Sequence, residues 1–117
     1  MSLSEPIRKI DKPEAQKETE YPLQIDYHSL KKASLVLRSL NHKLRQQIVK
    51  IISEDGRITV TEIYVKLRLE QSVPSQHLAI LRKAGIVSTQ RDGKFIYYTI
   101  NQQRVEALER FVKDLVG

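Results

Sequence analysis

The sequence predicts a mainly α fold carrying one small β-hairpin. Three observations carry that prediction. Apolar residues recur at helical spacing in successive stretches from Ile25 onward; an Asp-Gly pair sits between two β-rich runs; and Pro74 and Gly85 delimit a segment whose two faces differ in chemistry. At 117 residues with no internal repeat, a single modest core is expected.

Residues 1–20 hold two of the four prolines, alternating charges and scattered apolar residues, so a flexible N-terminal tail is expected there and the folded domain at 21–117. From Ile25 to Leu40, Leu30, Ala33, Val36, Leu37 and Leu40 share one helical stripe. Asn41 or His42 offers an N-cap for a second helix, which buries Leu44, Ile48, Ile51 and Ile52 and ends at Asp55-Gly56, with Gly56 suited to a left-handed position. Arg57 to Val60, short and β-branched, predicts a small strand. Thr59 or Thr61, followed by Glu62, opens a third helix that packs through Ile63 and Leu67.

A turn over Arg68 to Gln71 leads to a fourth helix at about 72–84. Pro74 fits only in its first turn, where the missing N–H costs nothing. On a helical projection Val73, Pro74, His77, Leu78, Ile80, Leu81 and Ala84 fall within an arc of about 160°, while Ser72, Ser75, Gln76, Ala79, Arg82 and Lys83 fall outside it. Gly85 closes the helix. Ile86–Gln90 and Phe95–Ile100 then bracket Arg91, Asp92, Gly93 and Lys94 as a hairpin with a basic tip, whose second strand sends one of Tyr97 and Tyr98 inward and the other outward. Asn101 caps a last helix to Val116 with a stripe of Val105, Leu108, Phe111, Val112 and Leu115.

Charge narrows the function. The net charge is +6, yet residues 1–20 carry four basic against five acidic groups, so the remainder carries about +7. Such a surplus favours a polyanion, nucleic acid ahead of an anionic membrane. No apolar run approaches the ~18 residues of a membrane span, and no secretory signal precedes the domain, so a soluble cytoplasmic protein is expected, with no membrane partner. The lack of Cys excludes disulfides, thiolate metal sites and thiol redox sensing. There is no P-loop, nucleophile elbow, carboxylate pair or metal-ligand spacing, and His28, His42 and His77 are scattered; no enzyme, metal or cofactor is expected.

The order helix, helix, strand, helix, recognition helix, β-hairpin, helix is that of a winged helix-turn-helix. Residues 39–52 (SLNHKLRQQIVKII) and 69–100 (LEQSVPSQHLAILRKAGIVSTQRDGKFIYYTI), with the final helix, resemble the ArsR (arsenical-resistance repressor-like) family of bacterial transcriptional regulators, over about residues 25–116. The resemblance implies a homodimer built from the first and last helices that binds double-stranded DNA at an imperfect palindrome. Dimer symmetry would place half-sites about one helical turn, roughly 34 Å, apart. The terminal stripes favour that interface independently, through Leu30, Ala33, Leu37, Val105, Leu108, Val112 and Leu115.

Metal-sensing members of the family carry a Cys pair where this chain has Tyr64 and Lys66. Others use His and carboxylate ligands on the last helix, where this chain has Glu106, Glu109 and Asp114 but no His. Arg68 stands where the family usually has Gly, a strained exchange if φ is positive there.

Ser72, Ser75 and Gln76 are the expected DNA readers, because hydroxyls and an amide can meet base edges or phosphate. Arg82, Arg91, Lys94 and Lys43 are expected phosphate contacts, although Arg82 and Lys83 also suit a helix C-terminus. His77 projects into the aliphatic arc and is expected to be packed and hydrogen-bonded. The leading reading is a dimeric, sequence-specific repressor of unidentified effector. The alternatives are a winged-helix protein-interaction module, disfavoured by the polar, basic recognition face, and a nonspecific chromosome-coating protein.

Overall fold

The computed structural model describes residues 22–70 and 72–117; the tail expected at 1–20, and Gln71, lie outside the described residues. The chain divides into two units, residues 1–30 and 31–117. Residues 22–26 of the first unit lead into helix α1 (Tyr27–Leu40). Asp26 sets its start, later than the Ile25 expected, because its carboxylate accepts from the Ser29 hydroxyl at 2.7 Å and the Ser29 amide at 3.1 Å. Those bonds hold the Asp26 carboxyl below its usual range, the hydroxyl bond first.

In the second unit, His42 caps α2 (Lys43–Asp55): its Nδ1 accepts from the Leu44 amide at 3.2 Å and the Arg45 amide at 3.5 Å. Gly56 ends α2 at φ 84° and ψ −52°, a positive-φ backbone but not the left-handed helical well expected. Thr59 and Glu62 exchange a full capping box at the start of α3 (Val60–Leu67). That cap draws Val60 into the helix. The strand expected at Arg57–Val60 therefore shrinks to one bridge, in which Ile58 and Tyr98 exchange N–H···O bonds of 3.1 and 2.7 Å.

Arg68 ends α3 in the left-handed conformation, φ 56° and ψ 47°, and is the one non-glycine with positive φ among the described residues. The amides of Arg68 and Leu69 donate back to Val65 and Tyr64 at 3.2 and 3.0 Å, so the turn closes normally around an unfavourable residue. A left-handed non-glycine costs roughly 1–2 kcal/mol, part of which a glycine returns through its greater unfolded-state entropy. Arg68→Gly should raise stability by about 0.5–1 kcal/mol, seen as a melting point a few degrees higher in calorimetry.

Helix α4 (Ser72–Lys83) follows, with Pro74 in its first turn. It ends at Gly85, φ 77°, where the amides of Gly85 and Ile86 donate to Arg82 and Leu81 at 3.0 and 2.9 Å. The hairpin comprises β1 (Val87–Asp92) and β2 (Phe95–Ile100), antiparallel from Val87 opposite Ile100 to Asp92 opposite Phe95. Its two-residue loop is thus Gly93-Lys94. β1 extends past the Gln90 expected, because positive φ at the first loop residue alone, 64° at Gly93, is the pattern of a type II′ turn. Asn101 caps α5 (Gln102–Val116), accepting from the Arg104 amide at 3.2 Å.

The core gathers Ile48 and Ile52 of α2, Ile58, Ile63 of α3, Leu78 and Leu81 of α4, Ile86 and Val87, with Tyr98, Val105 and Leu108 packed against it. α4 is thereby seated on α2, α3 and β1. The expected inward side chains Leu44 and Ile51 are half-buried at its edge.

Candidate nucleic-acid interface

Two faces of α4 are held to different tasks. Pro74, Leu78 and Leu81 are buried and Val73, His77 and Ala84 half-buried, while Ser72, Ser75, Gln76, Ala79, Arg82 and Lys83 are exposed, as the projection predicts. Ile80 departs from it, at 42% exposed. It lies at the edge of the aliphatic arc and lines a cavity beside α1 instead of entering the core.

His77 is packed and hydrogen-bonded, and its partner was not legible in the sequence. The Arg45 guanidinium lies 3.1 Å from His77 Nδ1, and the His42 ring stands 4.8 Å from the His77 ring, tilted by 48°. Arginine has donors only, so Nδ1 accepts and the neutral ring carries its proton on Nε2. Arg45 is itself buried. Its Nε donates to the Ser39 carbonyl at 2.6 Å and a terminal nitrogen to the Arg38 carbonyl at 3.4 Å, while the Gln46 amide donates to Leu40 at 2.8 Å. The last carbonyls of α1 are thus satisfied by α2, and one guanidinium links α1 to α4.

Burial first, then the nearby His42 and Arg45, push the His77 pKa below its usual value. A histidine kept neutral on folding makes the unfolded chain the better proton binder in acid. This contribution is intact above the unfolded pKa of 6.5 and is lost as pH falls from there through the lower folded pKa. Urea midpoints should therefore fall between pH 7 and pH 5, and His77→Gln should flatten part of that slope.

Lys43 is exposed at the start of α2, next in sequence to His42, whose ring meets His77 of α4. On the wing Arg91 is exposed, with one guanidinium nitrogen 3.4 Å from the Gly93 carbonyl, and Lys94 lies 5.7 Å from the Phe95 ring. Arg57, which sequence reasoning passed over, braces the wing. It pairs with Asp92 at 3.1 Å and stacks 4.0 Å from the Tyr97 ring, so the wing's one carboxylate is paired from outside the hairpin. Tyr98 is the inward ring of the pair.

Of the remaining candidates, Leu30 and Leu115 are exposed, Ala33, Leu37 and Val112 half-buried, and Val105 and Leu108 packed on this chain's own core. Lys66 pairs with Asp55 at 3.0 Å. No group of three His, Cys, Asp or Glu able to hold a metal occurs among the described residues.

A helix with a fixed apolar back and a small, polar, basic front, followed by a basic hairpin, defines the winged helix-turn-helix class of DNA-binding transcriptional regulators. A model of the arsR family of bacterial regulatory proteins matches residues 42–89. The transcriptional repressor PagR of Bacillus anthracis is 33% identical over 92 residues, 79% of this chain and 92% of PagR. Its crystal structure matches with a TM-score of 0.61, covering 74% of this chain and 99% of that one. The transcriptional activator HlyU of Vibrio cholerae is 35% identical over 77 residues, 66% of this chain and 70% of HlyU. The homodimeric winged helix-turn-helix DNA-binding domain Mb0332 of Mycobacterium bovis, solved in solution, matches at 25% identity and a TM-score of 0.66, over 80% of this chain and 87% of that one. The chain belongs to the arsR family of bacterial regulatory proteins, and the relatives PagR and HlyU are transcription regulators.

Proposed function

We propose that the protein acts as a homodimer that reads a palindromic operator in double-stranded DNA and represses transcription by occluding the promoter. The observation that carries this reading is the exposed face Ser72, Ser75 and Gln76, presented by a helix whose back is anchored by Leu78 and Leu81. Gln76 reads a base edge by its amide, the two serines contact base edge or phosphate, and Lys43, Arg82, Arg91 and Lys94 neutralise backbone phosphates. The dimer forms through α1 and α5, using Leu30, Ala33, Leu37, Val105, Leu108, Val112 and Leu115. The homodimeric Mb0332 and the repressor PagR support these two parts of the reading.

The test is selection of duplexes from a random pool, followed by titration of the selected site at increasing salt. Log affinity should fall linearly with log salt, and Gln76→Ala should weaken the selected site by about 5- to 100-fold while random duplex is barely affected. A folded, dimeric protein that ignores duplex DNA at low salt would overturn the proposal, and equal binding to all sequences would replace it with nonspecific coating.

A further inference from the structure

Beside α1, at the C-terminal end of α4 and the start of α5, lies a cavity of about 590 Å³. That volume is in the range of sites for small organic ligands, roughly 300–1,000 Å³. Two chemistries meet in it. Leu35 and Val36 of α1, Ile80 of α4 and Ala84 just beyond it supply an apolar wall. Leu35 and Ile80 remain 52% and 42% exposed there, so this apolar wall is open to a ligand.

Apart from Ser39 and Gly85, the rest of the lining is cationic: Lys32, Arg38, Arg45, Lys83 and Arg104, with no carboxylate among the lining residues. Arg45 is committed to the carbonyls of α1 and to His77. Lys32, Lys83 and Arg104 take part in none of the ion pairs among the described residues. Arg104 lies over Gly85, where a Cβ would stand 3.2 Å from a guanidinium nitrogen, so the glycine that closes α4 also leaves room for the guanidinium at the cavity. Like charges gathered on a partly apolar surface repel one another, and an anion relieves that repulsion.

A bare phosphate, or a nucleic-acid backbone, would satisfy the cations and gain nothing from Leu35 and Ile80. A neutral apolar molecule would do the reverse. On α1, moreover, Lys32, Leu35 and Ser39 occupy a different stripe from Leu30, Ala33 and Leu37, with Val36 between the two, so the proposed dimer contact leaves the Leu35 side of this wall uncovered.

We propose that this cavity is a binding site for a small organic anion, a carboxylate or sulfonate on an apolar body. The charged head is held by Arg104 and Lys83 and the body lies against Leu35 and Ile80. Such a ligand touches α1 and the end of α4 together, and it places negative charge beside the helix proposed to read DNA. Binding itself does not depend on the DNA reading, and is tested without DNA.

The experiment titrates the whole protein with octanoate, octanamide and inorganic phosphate, following backbone amide shifts by heteronuclear NMR and affinity by calorimetry. Octanoate should bind saturably, with shifts centred on Leu35, Ile80, Ala84 and Gly85, and octanamide and phosphate at least about tenfold more weakly, since each lacks one of the two interactions. Arg104→Gln should weaken octanoate about tenfold, and Lys83→Gln, at an exposed site that cannot compromise folding, should weaken it several-fold. Absence of saturable octanoate binding overturns the proposal. So does octanamide binding as well as octanoate, which makes the site apolar only, or phosphate binding as well, which makes it a backbone-phosphate contact. Unchanged octanoate affinity in both variants overturns it too.

Discussion

Arg45→Met is expected to destabilise the protein by about 3 kcal/mol, among the largest effects of any polar substitution in the chain. Arg45 is only 9% exposed, and its guanidinium carries three interactions at once: with the Ser39 carbonyl, the Arg38 carbonyl and His77 Nδ1. Methionine fills similar space but takes the guanidinium donor from the Ser39 carbonyl and from His77, in a place water reaches poorly, while the Arg38 and Leu40 carbonyls keep the Asn41 amide and Gln46. At fixed protein concentration, thermal unfolding should shift down by about 10–20 °C. Arg45→Lys, which keeps the charge and loses the planar fork, should recover less than half of the loss. The same variant tests the link to α4. Because Arg45 helps hold the His77 pKa down, its removal should let that pKa rise toward the ordinary value in an NMR titration of the imidazole. If Arg45→Met unfolds at the wild-type temperature, the guanidinium does not join α1 to α4 as described.

Leu78→Ala should cost about 3 kcal/mol, within the usual range of about 2–5 for a fully buried leucine, because the side chain shares a closed core with Ile48, Ile63 and Leu81 that cannot collapse onto the space left. Its consequence extends to function. Leu78 is buried at the back of α4, roughly 60° around the helix from Ser75 and nearly opposite Gln76, so its packing sets the rotation at which Ser75 and Gln76 are presented. Amide hydrogen exchange in α4 should speed up more than exchange in α5. Ala79→Ser, on the exposed face, should change stability by less than about 0.5 kcal/mol in the same urea titration. Equal effects of the two substitutions would mean that α4 is not seated as described.

Much of this arrangement is local and was legible in the sequence. Pro74 can occupy only a first turn, Thr59 with Glu62 completes a capping box within one helical turn, Asn101 reaches its own helix start, and Gly85 supplies the positive φ that closes α4. Each depends on residues three or four apart, so nearby chemistry decides it. Periodicity likewise separated Leu78 and Leu81 from Ser75 and Gln76, because one buried face is enough to orient a helix.

Where local signals compete, the sequence left the choice open. The β-branched run at Arg57–Val60 favoured a strand, but the capping box claimed Val60 and left one bridge to Tyr98. The sequence bracketed Arg91, Asp92, Gly93 and Lys94 between the strands, whereas pairing extends to Asp92 opposite Phe95 and leaves only Gly93-Lys94 in the loop, because register depends on the whole ladder from Val87 opposite Ile100. Ile80 was assigned to the core by angle alone, and only the packing of α1 and α5 around it left it facing a cavity.

The sequence by itself therefore determined the five helices and the hairpin, the Asn101 cap, the two faces of α4 and the basic character of the domain. Only the tertiary structure decided that Arg45 would join α1 to His77 across a separation of 32 residues, that Arg57 would brace the wing through Asp92 and Tyr97, and that five cations would line one apolar cavity. The physical reason is the range of the interactions. Caps and periodicity act within a turn of the chain, whereas a buried guanidinium takes whatever acceptors folding places around it, and no spacing in the sequence encodes which carbonyls those will be.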